Sequence, residues 1–371
     1  MRTKISIYNS LHFPVECEGY TFPPGKNVSI TIETNSVKFR NIRTHRGLRA
    51  NRHNNEKYAP IPGKTVNMIY DHHSQKRLNS YAKVVEALAQ PMIDGLTELG
   101  IDAGYAPIPT LQTNVRFFSS CRINQQGKKP VGPNDIFYSH GIGDKNYWTA
   151  ENIADYRVAM VPGPAWKERI MTGGFKGEVF VVGYTKLDPL FNNEHKKQSR
   201  DKPLVVWAPS HGYNSRHKGR SSYPWCMKHI EEISPKYEAI LALHPATRQN
   251  LRMPNEVSKQ ELIDADVIIA DAGSTVYEAW ALGKPVILPD WICRDDVLAH
   301  FKGDPGNFEY RIYKEQIGYH AKDMKELNKM IEKALVNGMQ QREIEFMEGI
   351  FPKELRGISG ITAANTLKNL L

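Results

Sequence analysis

Asp266-Val-Ile-Ile-Ala-Asp-Ala-Gly-Ser-Thr-Val-Tyr-Glu-Ala-Trp-Ala-Leu-Gly-Lys-Pro-Val-Ile-Leu-Pro-Asp290 passes from strand to helix and back to strand. Val267–Ala270 is a short continuous apolar run, as in a strand covered on both faces. The bend at Asp271 leads to Gly273, which lets the backbone turn sharply. Ser274 and Thr275 then fall at the cap and first turn of a helix predicted over Ser274–Leu282. Free N–H groups and the helix dipole attract anions there, and two hydroxyls add donors for a phosphate. Glu278 lies one turn on, where a carboxylate accepts hydrogen bonds from ribose hydroxyls. Gly283 stops the helix, and Lys284-Pro285 leads into the strand Val286–Leu288. The plainer reading is a well-capped helix of any α/β protein.

Outward from this segment the alternation continues. Strands are predicted at Leu204–Trp207 and Ala239–Leu243, and helices near Tyr223–Ile233 and Asp323–Asn337. A second series precedes it. Its strands are at Val66–Tyr70, Asp135–Ser139, Arg157–Val161 and Glu178–Val182, with helices at Asn79–Leu99 and Pro164–Met171. The polar, aperiodic stretch Asn192–Lys202 separates the two series as a linker. Short apolar strands alternating with helices imply two parallel sheets covered by helices. The ending Ile358–Leu371 is apolar enough to dock as a final helix. Residues 1–60 differ: Lys4–Tyr8 and Val28–Ile32 alternate apolar and polar residues around the turn signal Phe22–Lys26, which predicts a small β-module. The boundaries expected are 1–63 for this basic module or arm, 64–195 and 196–345 for the two α/β domains, and 346–371 for the terminal helix.

The chain has 371 residues, 40% hydrophobic and 24% charged, ordinary for a globular protein. No apolar run approaches the roughly 18–20 residues that span a bilayer, and MRTKISIYNS lacks the features of a signal peptide, so a cytoplasmic location is expected. Cys17, Cys121, Cys226 and Cys293 are far apart, which argues against a disulfide framework or a zinc site. Formal charge is +9, and residues 1–65 carry eleven Lys/Arg against four Asp/Glu. Arg40, Arg43, Arg46, Arg49 and Arg52 recur every third residue, as a basic helical stripe or an irregular arm. A polyanionic partner, such as DNA or a phosphate-rich polymer, is therefore expected at this end.

The Asp271–Gly283 segment resembles two groups of GT-B transferases. One is the CDP-glycerol glycerophosphotransferase (teichoic-acid polymerase) family, with its Asp-x-Ser-Ser turn. The other is the lipid II N-acetylglucosaminyltransferase type, with Gly-x-Thr-x-x-Glu and Gly-Lys-Pro. The first resemblance extends over most of residues 135–290. Asp135–Lys145 is similar to its strand followed by His-Gly-x-x-x-Lys. Val181–Leu190 resembles Gly-x-Pro-Arg-x-Asp, with Thr185 and Lys186 in place of Pro and Arg. Val205–His211 resembles Tyr-Ala-Pro-Thr, and Leu241–Arg248 its strand plus His-Pro. No motif of residues 1–134 takes part.

The resemblance implies a GT-B fold: two Rossmann-like domains facing a central cleft, here preceded by the β-module. It casts His140 as the base for an acceptor hydroxyl, which a group of pKa about 6.5 suits. It casts His244 as a diphosphate contact that stabilises the leaving nucleotide. Asp271, Gly273, Ser274, Thr275 and Glu278, with Ser210 and His211, form the expected donor-binding set. Lys145 and, in the basic loop Gly212–Arg220, Arg216 and Lys218 are expected phosphate contacts, as are Arg43 and Arg46 on the acceptor side. The donor expected is a UDP-sugar or CDP-polyol, with no obligatory cofactor or metal. The pair Asp264 and Asp266 resembles a metal-binding Asp-x-Asp but precedes a buried strand rather than ending one. A DNA glycosyltransferase of the phage type, which would flip its target base, a sugar-nucleotide epimerase and a non-catalytic scaffold remain open alternatives.

Overall fold

The computed structural model describes residues 2–9, 15–17, 20–22, 27–33, 48–52, 65–70, 75–106, 112–117, 131–144, 153–192, 197–211, 220–251 and 259–371. At the N-terminal end, β1 (Arg2–Asn9) lies between β4 (Asn27–Glu33) and β5 (Leu48–Arg52), antiparallel to both, while β2 (Val15–Cys17) and β3 (Tyr20–Phe22) pair as a separate ribbon. The alternation in the sequence thus produces the expected module. The end of the arginine repeat, however, is neither helix nor irregular arm. Arg49 and Arg52 lie on β5, in register with Tyr8 and Ile5. Five residues containing Leu48 and Ala50 suffice for a strand once β1 offers an open edge.

The first α/β domain is a six-stranded sheet of order β11-β10-β9-β8-β6-β7, parallel throughout. Its elements are β6 (Thr65–Tyr70), α1 (Gln75–Glu98), β7 (Asp102–Ala106), β8 (Thr113–Phe117), β9 (Asp135–Tyr138), β10 (Val158–Val161), α2 (Pro164–Thr172), β11 (Glu178–Val181) and the short α3 (Asp188–Phe191). Gly100, with φ of 75°, closes the turn after α1, a conformation that glycine adopts without strain. Two strands were not legible: β7 and β8. In β8 the side chains of Asn114 and Arg116 are fully buried. Asp135 on β9 accepts from Asn114 Nδ2 at 2.9 Å and from Arg116 Nη1 at 2.7 Å, and Asn67 on β6 donates to Asn114 at 3.3 Å. Three neighbouring strands thus share one polar ladder within the core, its charges paired.

The second domain is a five-stranded parallel sheet of order β13-β12-β14-β15-β16. It comprises β12 (Leu204–Ala208), α4 (Trp225–His229), β13 (Glu238–Leu241), α5 (Pro245–Asn250), α6 (Lys259–Asp264), β14 (Val267–Ala270), α7 (Ser274–Ala281), β15 (Val286–Pro289), α8 (Asp290–His300), α9 (Phe308–Lys314), β16 (Tyr319–Ala321) and α10 (Met324–Asn337). α11 (Gln341–Ile350) and α12 (Ser359–Leu370) follow. One core runs from the first sheet to the near face of the second, and a smaller one lies under α10 on the far face.

Two returns of the chain hold the halves together. α11 lies against α2 closely enough that a Cβ at Gly163 would collide with the Ile350 carbonyl. α12 lies along α1, where a Cβ at Gly95 would touch Ala364 Cβ at 3.0 Å. Asp188 ties this return down by accepting Gly360 N–H at 2.6 Å. Burial pushes its carboxyl up to about 6. Among the described residues no helix is long and apolar enough to cross a membrane.

Candidate functional site

The carboxyl ends of β12, β13 and β14 lie side by side, and the expected donor-binding residues follow directly on them. Asp271, wholly buried, organises this edge. Its Oδ1 accepts Ser210 N–H at 2.8 Å and Ala272 N–H at 2.7 Å. Its Oδ2 accepts the N–H and hydroxyl of Ser222 at 2.6 and 2.9 Å. Its carbonyl takes the Tyr313 hydroxyl at 2.6 Å. Four donors on one carboxylate leave no capacity for a ligand, so Asp271 shapes the edge rather than touching a donor. His211, next to Ser210, stacks on His244 with ring centroids 5.3 Å apart.

Gly273 takes φ of 85°, the left-handed region the sequence required of it. α7 starts at Ser274 without a side-chain cap. The N–H groups of Ser274 and Thr275 belong to its first turn and lack intrahelical acceptors, and both residues are only half-buried. The Gly273 N–H, in contrast, is taken by the buried Glu309 carboxylate of α9 at 3.0 Å. The anion seat is thus narrower than the sequence suggests, starting one residue later.

The loop after β9 in the first domain faces this seat. Tyr184 Oη lies 3.2 Å from the His140 carbonyl and 3.4 Å from Glu278 Oε1. A Cβ on Gly141 would meet Ser274 Oγ at 2.7 Å, and one on Gly143 would meet the Gly273 Cα and Ser274 N at 2.8 Å. At Gly143, where the neighbours are backbone atoms, only glycine permits this approach. The Gly143 N–H points at Ser274 Oγ across 3.4 Å. The loop that carries His140 is therefore brought against Ser274, although the two belong to different domains.

Glu278 sits differently from its expected role. Its side chain is 5% exposed and forms an ion pair with Lys186 at 2.6 Å, across the domain boundary. Burial, then the Glu278 charge, holds the Tyr184 hydroxyl well above its ordinary pKa. Sequence reasoning noted Lys186 only as a departure from the family's arginine; the partner that gives it a role is a helix of the other domain.

A buried polar joint beside the seat was likewise not anticipated. Asp144, fully buried, accepts Phe308 N–H at 3.0 Å through Oδ2 and pairs with Arg169 Nε through the same oxygen. Its carbonyl accepts from Asn307 Nδ2 at 2.9 Å. Arg169 reaches on to Asp304 at 2.6 Å. Burial pushes the Asp144 carboxyl up to about 6 against the pull of Arg169 and the Phe308 N–H.

Lys145, Arg216, Lys218, Arg43 and Arg46 lie outside the described residues. Asp264 and Asp266 lie at the amino end of β14, away from the seat, and bind the linker. Cys226 and Cys293 are buried free thiols. Among the described residues no three His, Cys, Asp or Glu side chains form a set that could hold a metal.

No protein-family model matches the chain, and no curated protein matches it in sequence. Solved structures do match in shape. The chain is similar to the wall teichoic acid polymerase TagF in a variant soaked with CDPG, at TM-score 0.52 and 14% identity over 82% of this chain and 88% of that one. It is also similar to a UDP-GlcNAc 2-epimerase from Methanocaldococcus jannaschii, in complex with UDP-GlcNAc and UDP, at TM-score 0.47 and 16% identity over 82% of this chain and 99% of that one. With two parallel α/β domains of six and five strands and this likeness to TagF, the chain has a GT-B, glycosyltransferase-like fold.

Proposed function

We propose that the protein transfers a glycosyl or glycerophosphoryl group from a nucleotide-diphosphate donor to an acceptor hydroxyl. One observation carries the reading. The first turn of α7, at Ser274 and Thr275, lies on the same sheet edge as the stacked His211 and His244, and the His140 loop of the other domain closes upon it. The donor's diphosphate lies against the Ser274 and Thr275 N–H groups and hydroxyls. His140 removes the acceptor's proton as its oxygen attacks the transferred group. The bond to the nucleotide breaks, and the charge that develops there is met by the α7 dipole and by His244. Closure of the loop excludes water and aligns the reacting groups. TagF, whose soak is with CDPG, supports a CDP-polyol; UDP-sugars fit the same chemistry. This chemistry calls for no metal, so a chelator should leave turnover unchanged. The +7 charge of residues 1–65 supports a polyanionic acceptor, DNA or a phosphate-rich polymer.

A thermal-shift panel of UDP-sugars and CDP-polyols tests the donor. Stabilisation by one of them is expected, and none by any would remove the reading. The His140→Ala variant should lose turnover by about a hundredfold or more while still binding donor; full activity would overturn the assignment of the base. For the acceptor, binding to duplex DNA or a teichoic-type polymer should weaken steeply with salt, and salt-insensitive binding would exclude the charge argument.

A further inference from the structure

His140 lies at the start of the run His140-Gly141-Ile142-Gly143-Asp144, which the first sheet releases at the end of β9. Among the described residues no strand of the first sheet holds the far end of that run over the seat. The second domain does. Asp144 is anchored by backbone and side chain to the start of α9: its carbonyl by the capping residue Asn307, its carboxylate by the Phe308 N–H. The next residue, Glu309, holds the Gly273 N–H at the entrance to α7. Arg169 of α2, in the same domain as Asp144, stands behind it and spans to Asp304 of the second domain. The Gly143 N–H, immediately before Asp144, meets Ser274 Oγ.

We propose that Asp144 is the positioning residue that fastens the His140 loop over the Ser274 seat when the two domains meet. This rests on the transfer reading above for its consequence in catalysis, and on the joint alone for its geometry. Asp144 touches neither donor nor acceptor. It converts contact with Asn307 and Phe308 into a fixed height of His140 above the α7 terminus. Misplacement by about an ångström is enough to lower a rate by up to roughly a hundredfold. The Asp144 carboxylate suits the task because a buried charge leaves its partners only at high cost.

The test compares the wild type with Asp144→Ala, Asp144→Asn and Asp304→Ala. Amide hydrogen exchange over 140–144 is measured on each, together with kcat and the affinity for UDP and CDP. In Asp144→Ala, exchange at Gly143 should quicken and kcat fall about tenfold to a hundredfold. Affinity for the nucleoside diphosphate should stay within about threefold, since the seat itself belongs to the other domain. Asp144→Asn keeps an acceptor for the Phe308 N–H and should recover part of kcat. Asp304→Ala removes only the outer, partly exposed arm and should show a smaller loss in the same direction. Unchanged exchange in Asp144→Ala would overturn the proposal. So would a parallel loss of nucleotide binding and kcat, which marks general destabilisation. If Asp144→Ala does not fold, Asp144→Asn and Asp304→Ala decide by the same readings. A wild type that turns over no donor would sink the transfer reading, while exchange at Gly143 would still show whether Asp144 holds the loop.

Discussion

The two ends of the second sheet use the same residue type to opposite effect. At the amino end, Asp264 accepts from Gln198 N at 2.9 Å, from Gln260 and from Arg200, and Asp266 accepts from Leu204 N at 2.9 Å and Lys197. Burial works to raise the Asp264 carboxyl, and these donors outweigh it, so it lies below its usual range. Every contact there is internal, and the linker is sewn to the sheet. At the carboxyl end, Asp271 is equally saturated, but what it holds in place is open: the Ser210–His211 turn, and a bend that presents the first N–H groups of α7. An acid at the start of a strand closes the structure. An acid at its finish builds a frame around donors left for something else.

The contrast is broken most severely by Asp271→Ala. It strands the buried N–H groups of Ser210, Ser222 and Ala272, a loss of about 3–5 kcal/mol in denaturant unfolding, whereas Asp266→Ala at the wetter end should lose about 1 kcal/mol. Equal effects would mean that the two ends are built alike. Next comes Gly143→Ala, whose new methyl meets backbone at 2.8 Å; it should separate the loop from α7 and lower turnover by about tenfold or more. Gly141→Ala meets only the movable Ser274 hydroxyl, so comparison of the two variants measures how rigid the frame is.

A smaller effect concerns pH. The Asp188 pKa is raised from 3.8 to about 6, so its contribution to stability is fully present below about 4 and is lost as pH rises through about 6. Asp188→Asn should lack this term. Relative to that variant the wild type should gain on the order of 1–2 kcal/mol on passing from pH 8 to pH 4.5, read from unfolding at each pH. A difference independent of pH would refute the buried-charge account. The least effect belongs to Lys197→Ala. This lysine is half-exposed, and its pair with Asp266 should be worth less than about 0.5 kcal/mol and vanish in salt.

The strand–bend–helix unit was legible because it is local: Val267–Ala270, Gly273 and the Ser-Thr start lie within a dozen residues of one another, and the structure reproduces their boundaries nearly residue for residue. β8 was not, because Asn114 and Arg116 break its apolar run and the carboxylate that makes them tolerable, Asp135, lies on another strand. The same reason hid half of the site. Asp144 and Lys186 are ordinary charged residues until the opposite domain supplies Phe308 and Glu278, and Glu309 is one until Gly273 of its own domain comes within reach. β7 was missed for its composition, since Asp102 and Gly104 are poor strand formers and only the neighbouring edge of β6 orders them.

The packing of α12 along α1 also constrains the order of assembly. Val85, Leu88, Met92 and Leu96 of α1 share a core with Ala363, Ala364 and Leu367. As the chain leaves the ribosome, the part of that surface covered by α12 stays open until the whole second domain has been translated. Exposed apolar surface of this kind invites aggregation during synthesis, and a chaperone that shields that side of α1 in the interval should raise the yield.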